Sequence, residues 1–242
     1  MNAFIASLQF LSAIPLGKPR PFEPNGIIVH FPLAGRAIGL ALALFDLAAS
    51  MYWPTEVVSA LDVMFLAAIT GALHLDGLAD TADGLYGRRS REQALAIMKD
   101  SRVGAMGLVA VVCVLLVKSQ AIGAVDRSRF LTLLIVPAYA RSAMMAGMRF
   151  LSYARDEGGT GTAFFETSLS ARDFKFFAFP LALSLLMGWR GLLLNLAFVG
   201  ATAALIVIYR KKLGGITGDL LGAMAEIVEV VLFLAVCLGN GL

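Results

Sequence analysis

Apolar residues fall in long runs broken by short polar gaps. Seven runs, at roughly 32–53, 57–75, 103–125, 130–150, 174–189, 191–209 and 216–238, are long enough for a membrane span. About 20 mostly apolar residues in a helix cross a hydrocarbon core of about 30 Å, with every backbone polar group satisfied internally. The pattern predicts an all-α, polytopic integral membrane helical bundle of about seven spans. The count falls to six if 174–189, which is short and contains Pro180, is one half of a broken pair with 191–209 around Gly188, Trp189, Arg190 and Gly191. The leading MNAFIASLQFLSAIPLGKP has neither a positively charged start nor an A-x-A cleavage site, so it predicts a short N-terminal interfacial helix rather than a removed signal peptide. No Ser/Pro/Gly-rich linker interrupts the runs, and residues 1–242 read as a single membrane-embedded domain.

Composition sharpens this picture. A hydrophobic fraction of 59%, a charged fraction of 15% and a mean hydropathy of +0.80 exclude a soluble domain and make the lipid bilayer the solvent. The net charge of +3 gives no sign of a nucleic-acid partner once the basic residues are seen beside the apolar runs. Fourteen Lys and Arg residues, including Lys18, Arg88, Arg89, Lys99, Arg102, Arg155, Arg210 and Lys211, fall on one side. Arg127, Arg129 and Arg190 fall on the other, and Arg36, Lys118 and Arg141 lie inside apolar runs. Short cytoplasmic loops collect Lys and Arg, so the expected topology in the inner membrane has a cytoplasmic N-terminus and an external C-terminus. Cys113 and Cys237 stand singly in apolar runs and read as packed, inert thiols.

The strongest chemical signal is HLDGLADTADGL, residues 74–85. At about 100° per residue, Asp76, Asp80 and Asp83 share an arc of about 60° on one helix face. Three carboxylates that close repel one another unless a cation lies among them, and an all-oxygen set suits Mg²⁺ or Mn²⁺. His74 is a candidate to orient a carboxylate or bind substrate. The following REQALAIMKDSRVGAMG, residues 91–107, reads as a short amphipathic helix ending in Lys99, Asp100, Ser101 and Arg102. These offer two cations and a hydroxyl for phosphate oxygens, with Asp100 a fourth acid for catalysis.

Two further segments border the same side. In SYARDEGGTG, residues 152–161, Tyr153 and Arg155 are placed to stack on or clamp a nucleotide or ring system. The Gly158, Gly159 and Gly161 loop can bring backbone N–H groups to a phosphate. In LGGITGDLLGAMAEIVE, residues 213–229, Thr217 leads into Asp219, Glu226 and Glu229 on one helix. Acids inside a span cost about 2.5–3.5 kcal/mol each on insertion scales, so they need partners, a polar cavity or a metal. Arg141, inside its own run, needs a partner or a substrate for the same reason.

With these strings assembled, the chain resembles the adenosylcobinamide-GDP ribazoletransferase family, also called cobalamin synthases. The resemblance runs through FLSAIP, HLDGLADTADGL, ALAIMKDSRVGAMG, YARDEGGTG and GGITGDLLGAMAEIVE, covering nearly the whole chain. It implies a multipass, Mg²⁺-dependent membrane enzyme of vitamin B12 assembly. The implied reaction moves the cobinamide phosphate of adenosylcobinamide-GDP onto α-ribazole or α-ribazole 5′-phosphate and releases GMP. On that reading Asp76, Asp80 and Asp83 hold metal and join Asp100 in catalysis. His74, Lys99, Ser101, Arg102, Arg141, Tyr153, Arg155, Gly159, Thr217, Asp219 and Glu226 contact substrates. A homo-oligomer is compatible with the sequence.

Two competing readings have less support. A CDP-alcohol phosphotransferase also displaces a nucleoside monophosphate with membrane aspartates, but its DGxxAR pattern is missing, because Gly77, Leu78 and Ala79 lead directly to Asp80. An ion-coupled transporter with Glu226, Glu229 and Arg141 as a relay would place its acids at mid-membrane rather than beside basic loops.

Overall fold

A computed structural model of the chain describes residues 2–18, 20, 23–126, 128–155, 162–165 and 169–238. Eleven α-helices make up the described fold: α1 (Asn2–Leu11), α2 (Pro24–Val29), α3 (Phe31–Ala49), α4 (Thr55–Ile69), α5 (Leu73–Leu85), α6 (Arg91–Ile97), α7 (Ala105–Ala124), α8 (Arg129–Phe150), α9 (Ala178–Leu185), α10 (Trp189–Leu213) and α11 (Gly218–Cys237). Two 3-10 segments, Thr162–Phe165 and Ala171–Phe177, lie between α8 and α9. Among the described residues the only β-type pairing is an isolated parallel bridge between Tyr153 and Ile216.

Five helices are long and apolar enough to cross a membrane: α3, α7, α8, α10 and α11. α4 and α5 pass the same test together but meet at a 91° bend, so the count rises to six if the bent pair is counted as one span. The bend has a local cause: Gly71 and Ala72 both adopt positive φ, at 59° and 56°, which ends α4 abruptly. A left-handed alanine costs about 1–2 kcal/mol, so the break is held by the fold around it. The expected second span is therefore two helices rather than one, and HLDGLADTADGL forms the second of them.

The seven-span expectation changes at 174–189. This stretch is not one long helix but a 3-10 segment followed by the eight-residue α9, whose helical length of about 12 Å cannot span a bilayer. Its two ends nevertheless lie far apart in the bundle. Phe176 packs on His30 with ring centroids 5.1 Å apart, whereas Leu186 and Met187 border a depression shared with Asp126 and Arg190. Between them Phe179 lies under the Arg36 guanidinium at 4.4 Å. The Tyr139 hydroxyl donates to Asn195 Oδ1 at 2.6 Å, and the Asn195 amide donates to Ser184 Oγ at 2.9 Å, which ties α9 to α8 and α10.

Helices α8 and α11 are the most enclosed and form the centre, while α7 and α10 leave most of their apolar surface outward. Close crossings are made by glycine. A Cβ on Gly35 would fall 2.7 Å from the Ala138 Cα, so α3 and α8 meet at backbone distance along Gly35 and Gly39. Gly77 of α5 and Gly222 of α11 do the same for the pair that carries the acidic motifs: a Cβ on Gly77 would sit 2.7 Å from the Asp219 carbonyl oxygen. The predicted N-terminal helix is α1, which packs Phe10 on Phe31 and on Phe164.

Candidate active site

The tight α5–α11 crossing sets Asp76 beside Asp219. Thr217 begins α11: its Oγ1 accepts from the Leu220 N–H at 3.3 Å, leaving Asp219 in the first turn. The two segments 152–155 and 214–217 are strapped to each other, with the Ala154 N–H donating to Ile216 O and the Ile216 N–H donating to Ser152 O, both at 2.9 Å. The strap brings Arg155 onto Asp219, Nη2 to Oδ2, at 2.8 Å. Arg91 of α6 locks it from outside, donating to Ala154 O at 2.5 Å and to Leu213 O at 3.0 Å. In the sequence Arg91 is simply the first residue of the amphipathic 91–107 segment. Its use as a clamp on two backbone carbonyls leaves no trace in spacing.

A cavity of about 380 Å³ opens at this point. His74, Asp76, Tyr153, Arg155 and Asp219 line it together with Phe10, Phe164, Phe165, Met144 and Met148. Motifs scattered over the chain thus converge. FLSAIP supplies Phe10 at its first residue, and its Ala13 N–H donates to Ile69 O at 2.8 Å, beside the α4–α5 bend.

The acids divide by partner. Asp83 is spent on structure: its carboxylate accepts from the Gly104 N–H at 2.7 Å and the Gly107 N–H at 2.9 Å, capping the start of α7. Glycine is required at both positions because a Cβ on either would collide with that carboxylate. Asp83, grouped in sequence with Asp76 and Asp80 as a metal ligand, is thus engaged by the backbone at the start of α7. Asp80 is half-buried within electrostatic reach of Asp219, Asp76 and Asp83, with Arg155 as the opposing charge. Asp76 is exposed at the cavity.

Among the described residues no group of three or more His, Cys, Asp or Glu side chains is close enough to hold a metal by itself. The donor set still suits a hard cation. Mg²⁺ is commonly held by one or two carboxylates with substrate phosphates and water completing its shell. Asp76 and Asp80, like-charged neighbours, are the two that fit.

Glu226 and Arg141, expected to touch substrate, do not border the cavity. Lys118 Nζ lies 2.6 Å from Glu226 Oε2 and 2.8 Å from Glu229 Oε2, and Arg141 pairs with the other oxygen of Glu229. All four side chains are buried, and two cations balance two anions. Lys118 and Glu229 complete a set whose members were each visible as intramembrane charges. Their pairing was not, because they come from three helices. Arg141 also donates from Nη2 to His74 Nδ1 at 3.3 Å, so the network ends on a residue of the cavity wall.

The cluster at 99–102 stands apart from the cavity lining. Lys99, Ser101 and Arg102 are exposed and none lines the cavity. Asp100 is engaged by Arg102 at 2.5 Å. Hydrogen bonds from Arg102 hold the Asp100 carboxyl down at about 2, so it is a fixed anion rather than a proton carrier. Gly159 and the rest of 156–161 lie outside the described residues.

Comparison with known proteins decides the family. The family described as Cobalamin-5-phosphate synthase matches residues 3–237. The chain belongs to this cobalamin-5-phosphate synthase family. It is 38% identical over 240 residues to the adenosylcobinamide-GDP ribazoletransferase of Geotalea daltonii, covering 95% of this chain and 94% of that one. It is 39% identical over 241 residues to the enzyme of the same name from Syntrophobacter fumaroxidans, covering 96% of each. With that of Pseudomonas savastanoi pv. phaseolicola it shares 36% over 244 residues, covering 98% of this chain and 100% of the relative. No solved structure matches the chain. Membership in the cobalamin-5-phosphate synthase family makes it a multipass membrane transferase of cobalamin synthesis, and the alignment spans all the segments that meet at the cavity.

Proposed function

We propose that the chain transfers the adenosylcobinamide phosphate of adenosylcobinamide-GDP to α-ribazole or α-ribazole 5′-phosphate, giving adenosylcobalamin or its 5′-phosphate and releasing GMP. The observation that carries this reading is the convergence of Arg155, Asp219 and Asp76 at one cavity, with Asp80 in electrostatic reach of all three, in a chain aligned end to end with ribazoletransferases. Arg155 is only partly used: its Nη2 holds Asp219 while its buried Nε has no partner among the described residues. A diphosphate entering here would take over the guanidinium by charge-assisted hydrogen bonds and free Asp219. Mg²⁺ held by Asp76 and Asp80 would neutralise the diphosphate and the departing GMP. The attacking ribose hydroxyl loses its proton to a carboxylate of the Asp76, Asp80 and Asp219 group. The basic residues around α6 and the strap support a cytoplasmic face for this site.

The test is turnover with isotope-labelled acceptor. Purified protein with Mg²⁺ should release GMP from the GDP-linked corrinoid only when a riboside acceptor is present. Oxygen label in the acceptor hydroxyl should end in the new phosphodiester bridge, because attack falls on the corrinoid-side phosphorus. Label in GMP, or no GMP with either acceptor, removes the proposal.

A further inference from the structure

Most of the cavity wall is apolar, and His74 is its one fully buried polar side chain among the described residues. Phe10, Phe164, Phe165, Met144 and Met148 make most of that wall, with Tyr153 tilted against Phe165 at a centroid distance of 5.2 Å. His74 is 1% exposed. A guanidinium can only donate, so Nδ1 of His74 accepts from Arg141 and the ring proton sits on Nε2. That Nε2–H has no partner among the described residues, and it lies on the ring edge opposite Arg141, which is not a lining residue. Lys118, Glu226 and Glu229 fix Arg141 and therefore fix this tautomer.

We propose that the cavity is the acceptor's base subsite, built for an apolar fused heteroaromatic base with one ring-nitrogen acceptor, which the His74 Nε2–H recognises. The inference rests on the transferase reading above for the identity of the acceptor. A volume of about 380 Å³ suits a nucleoside and is far too small for a corrinoid. Guanine is excluded from the inner wall by its polar edge, whose donors and acceptors would be buried against Phe and Met without partners. An apolar base with one acceptor nitrogen leaves nothing unsatisfied on either side. His74 is thus a substrate-binding donor rather than a general base.

The test is riboside binding to the full-length protein in nanodiscs, measured calorimetrically with no corrinoid present. Benzimidazole riboside, which has the acceptor nitrogen, should bind about tenfold more tightly than indole riboside, which lacks it. His74→Ala should erase that preference, and Phe165→Ala should weaken both ribosides about tenfold through lost stacking. Guanosine should not compete. The chain has two histidines, so a ¹⁵N-histidine spectrum provides a second readout independent of any substitution: benzimidazole riboside should shift the Nε2 resonance of His74 and leave that of His30 in place. A ratio unchanged in folded His74→Ala, displacement by guanosine, or an unmoved Nε2 resonance overturns the proposal. Riboside binding as described, combined with a failure to release GMP, would instead remove the transferase reading and leave the subsite standing.

Discussion

Two groups of acids on α5 and α11 share a composition but differ in how their charges are met. Glu226 and Glu229 are buried, and each faces a cation at hydrogen-bond distance. Asp76 lines the cavity with Asp80 in electrostatic reach of it, and the charge opposing Asp80, Arg155, is already engaged by Asp219. A balanced set inside low dielectric is framework, since any charge removed leaves its partner stranded. An unbalanced set at a solvent-reached opening keeps charge available for whatever enters it. The far end of the bundle supports the contrast: Arg129 holds Asp46 at 2.7 Å and Asp62 at 2.9 Å and also reaches Ser59, tying α3, α4 and α8 together away from the cavity.

The largest effect should come from breaking the balanced set. Lys118→Met removes the cation shared by two buried carboxylates and should cost about 3–5 kcal/mol of stability. The loss should appear as a lowered unfolding temperature and poor recovery from membranes. Adding Glu226→Gln to it should restore part of the loss, because one stranded charge is then removed. If the single variant unfolds like the parent, the four charges do not act as a unit.

Next is the unbalanced set. Asp80→Asn keeps shape and removes charge, so unfolding should be unchanged or shifted upward while GMP release falls by roughly 10²–10³-fold, as for loss of one strong electrostatic contact in a transition state. Asp76→Asn should follow in the same direction. Asp83→Asn should instead behave as a cap variant, losing about 1 kcal/mol of stability with a smaller kinetic effect. Equal kinetic damage at Asp80 and Asp83 would return Asp83 to the metal set.

Arg155→Ala should raise the Michaelis constant for the GDP-linked donor by about tenfold or more, the scale of one hydrogen bond to a charged group. The acceptor constant should change less. A variant with unchanged donor binding would remove Arg155 from the phosphate site.

Much of this was legible in the chain. Five of the seven runs became long helices, and every motif named from sequence supplied a residue to the cavity, capped a helix or anchored a strap. The readings that changed share one cause: sequence shows that a residue is acidic or buried but not what meets it. Asp83 has the right helical phase for the carboxylate face, yet the N-terminus of α7 reaches it first. Lys118 looked like a stray charge in an apolar run because its partners are more than a hundred residues away. The bend at Gly71 and Ala72 was hidden for a different reason, since hydropathy records apolar content and not direction.

The smallest effect, and the one that separates an exposed ion pair from both groups above, concerns Asp100 and Arg102. Arg102 is 87% exposed on its side chain, and solvent screens a pair held there. The carboxyl of Asp100 is lowered to about 2 in the folded chain, chiefly by the Arg102 side-chain hydrogen bond, against about 3.9 when unfolded. A carboxyl lowered on folding adds stability that is fully present above the unfolded value and disappears as pH falls through the folded one. Between pH 5 and 8 this contribution is constant, so Arg102→Ala should be destabilised by the same small amount across that range, and its difference from the parent should shrink only in acid. If phosphate oxygens instead used Arg102 in turnover, the variant would raise the donor Michaelis constant as Arg155→Ala does, and the rise would shrink with added salt. Equal constants for parent and Arg102→Ala at low salt, alongside a raised constant for Arg155→Ala, would place phosphate recognition at the cavity rather than in the 99–102 loop.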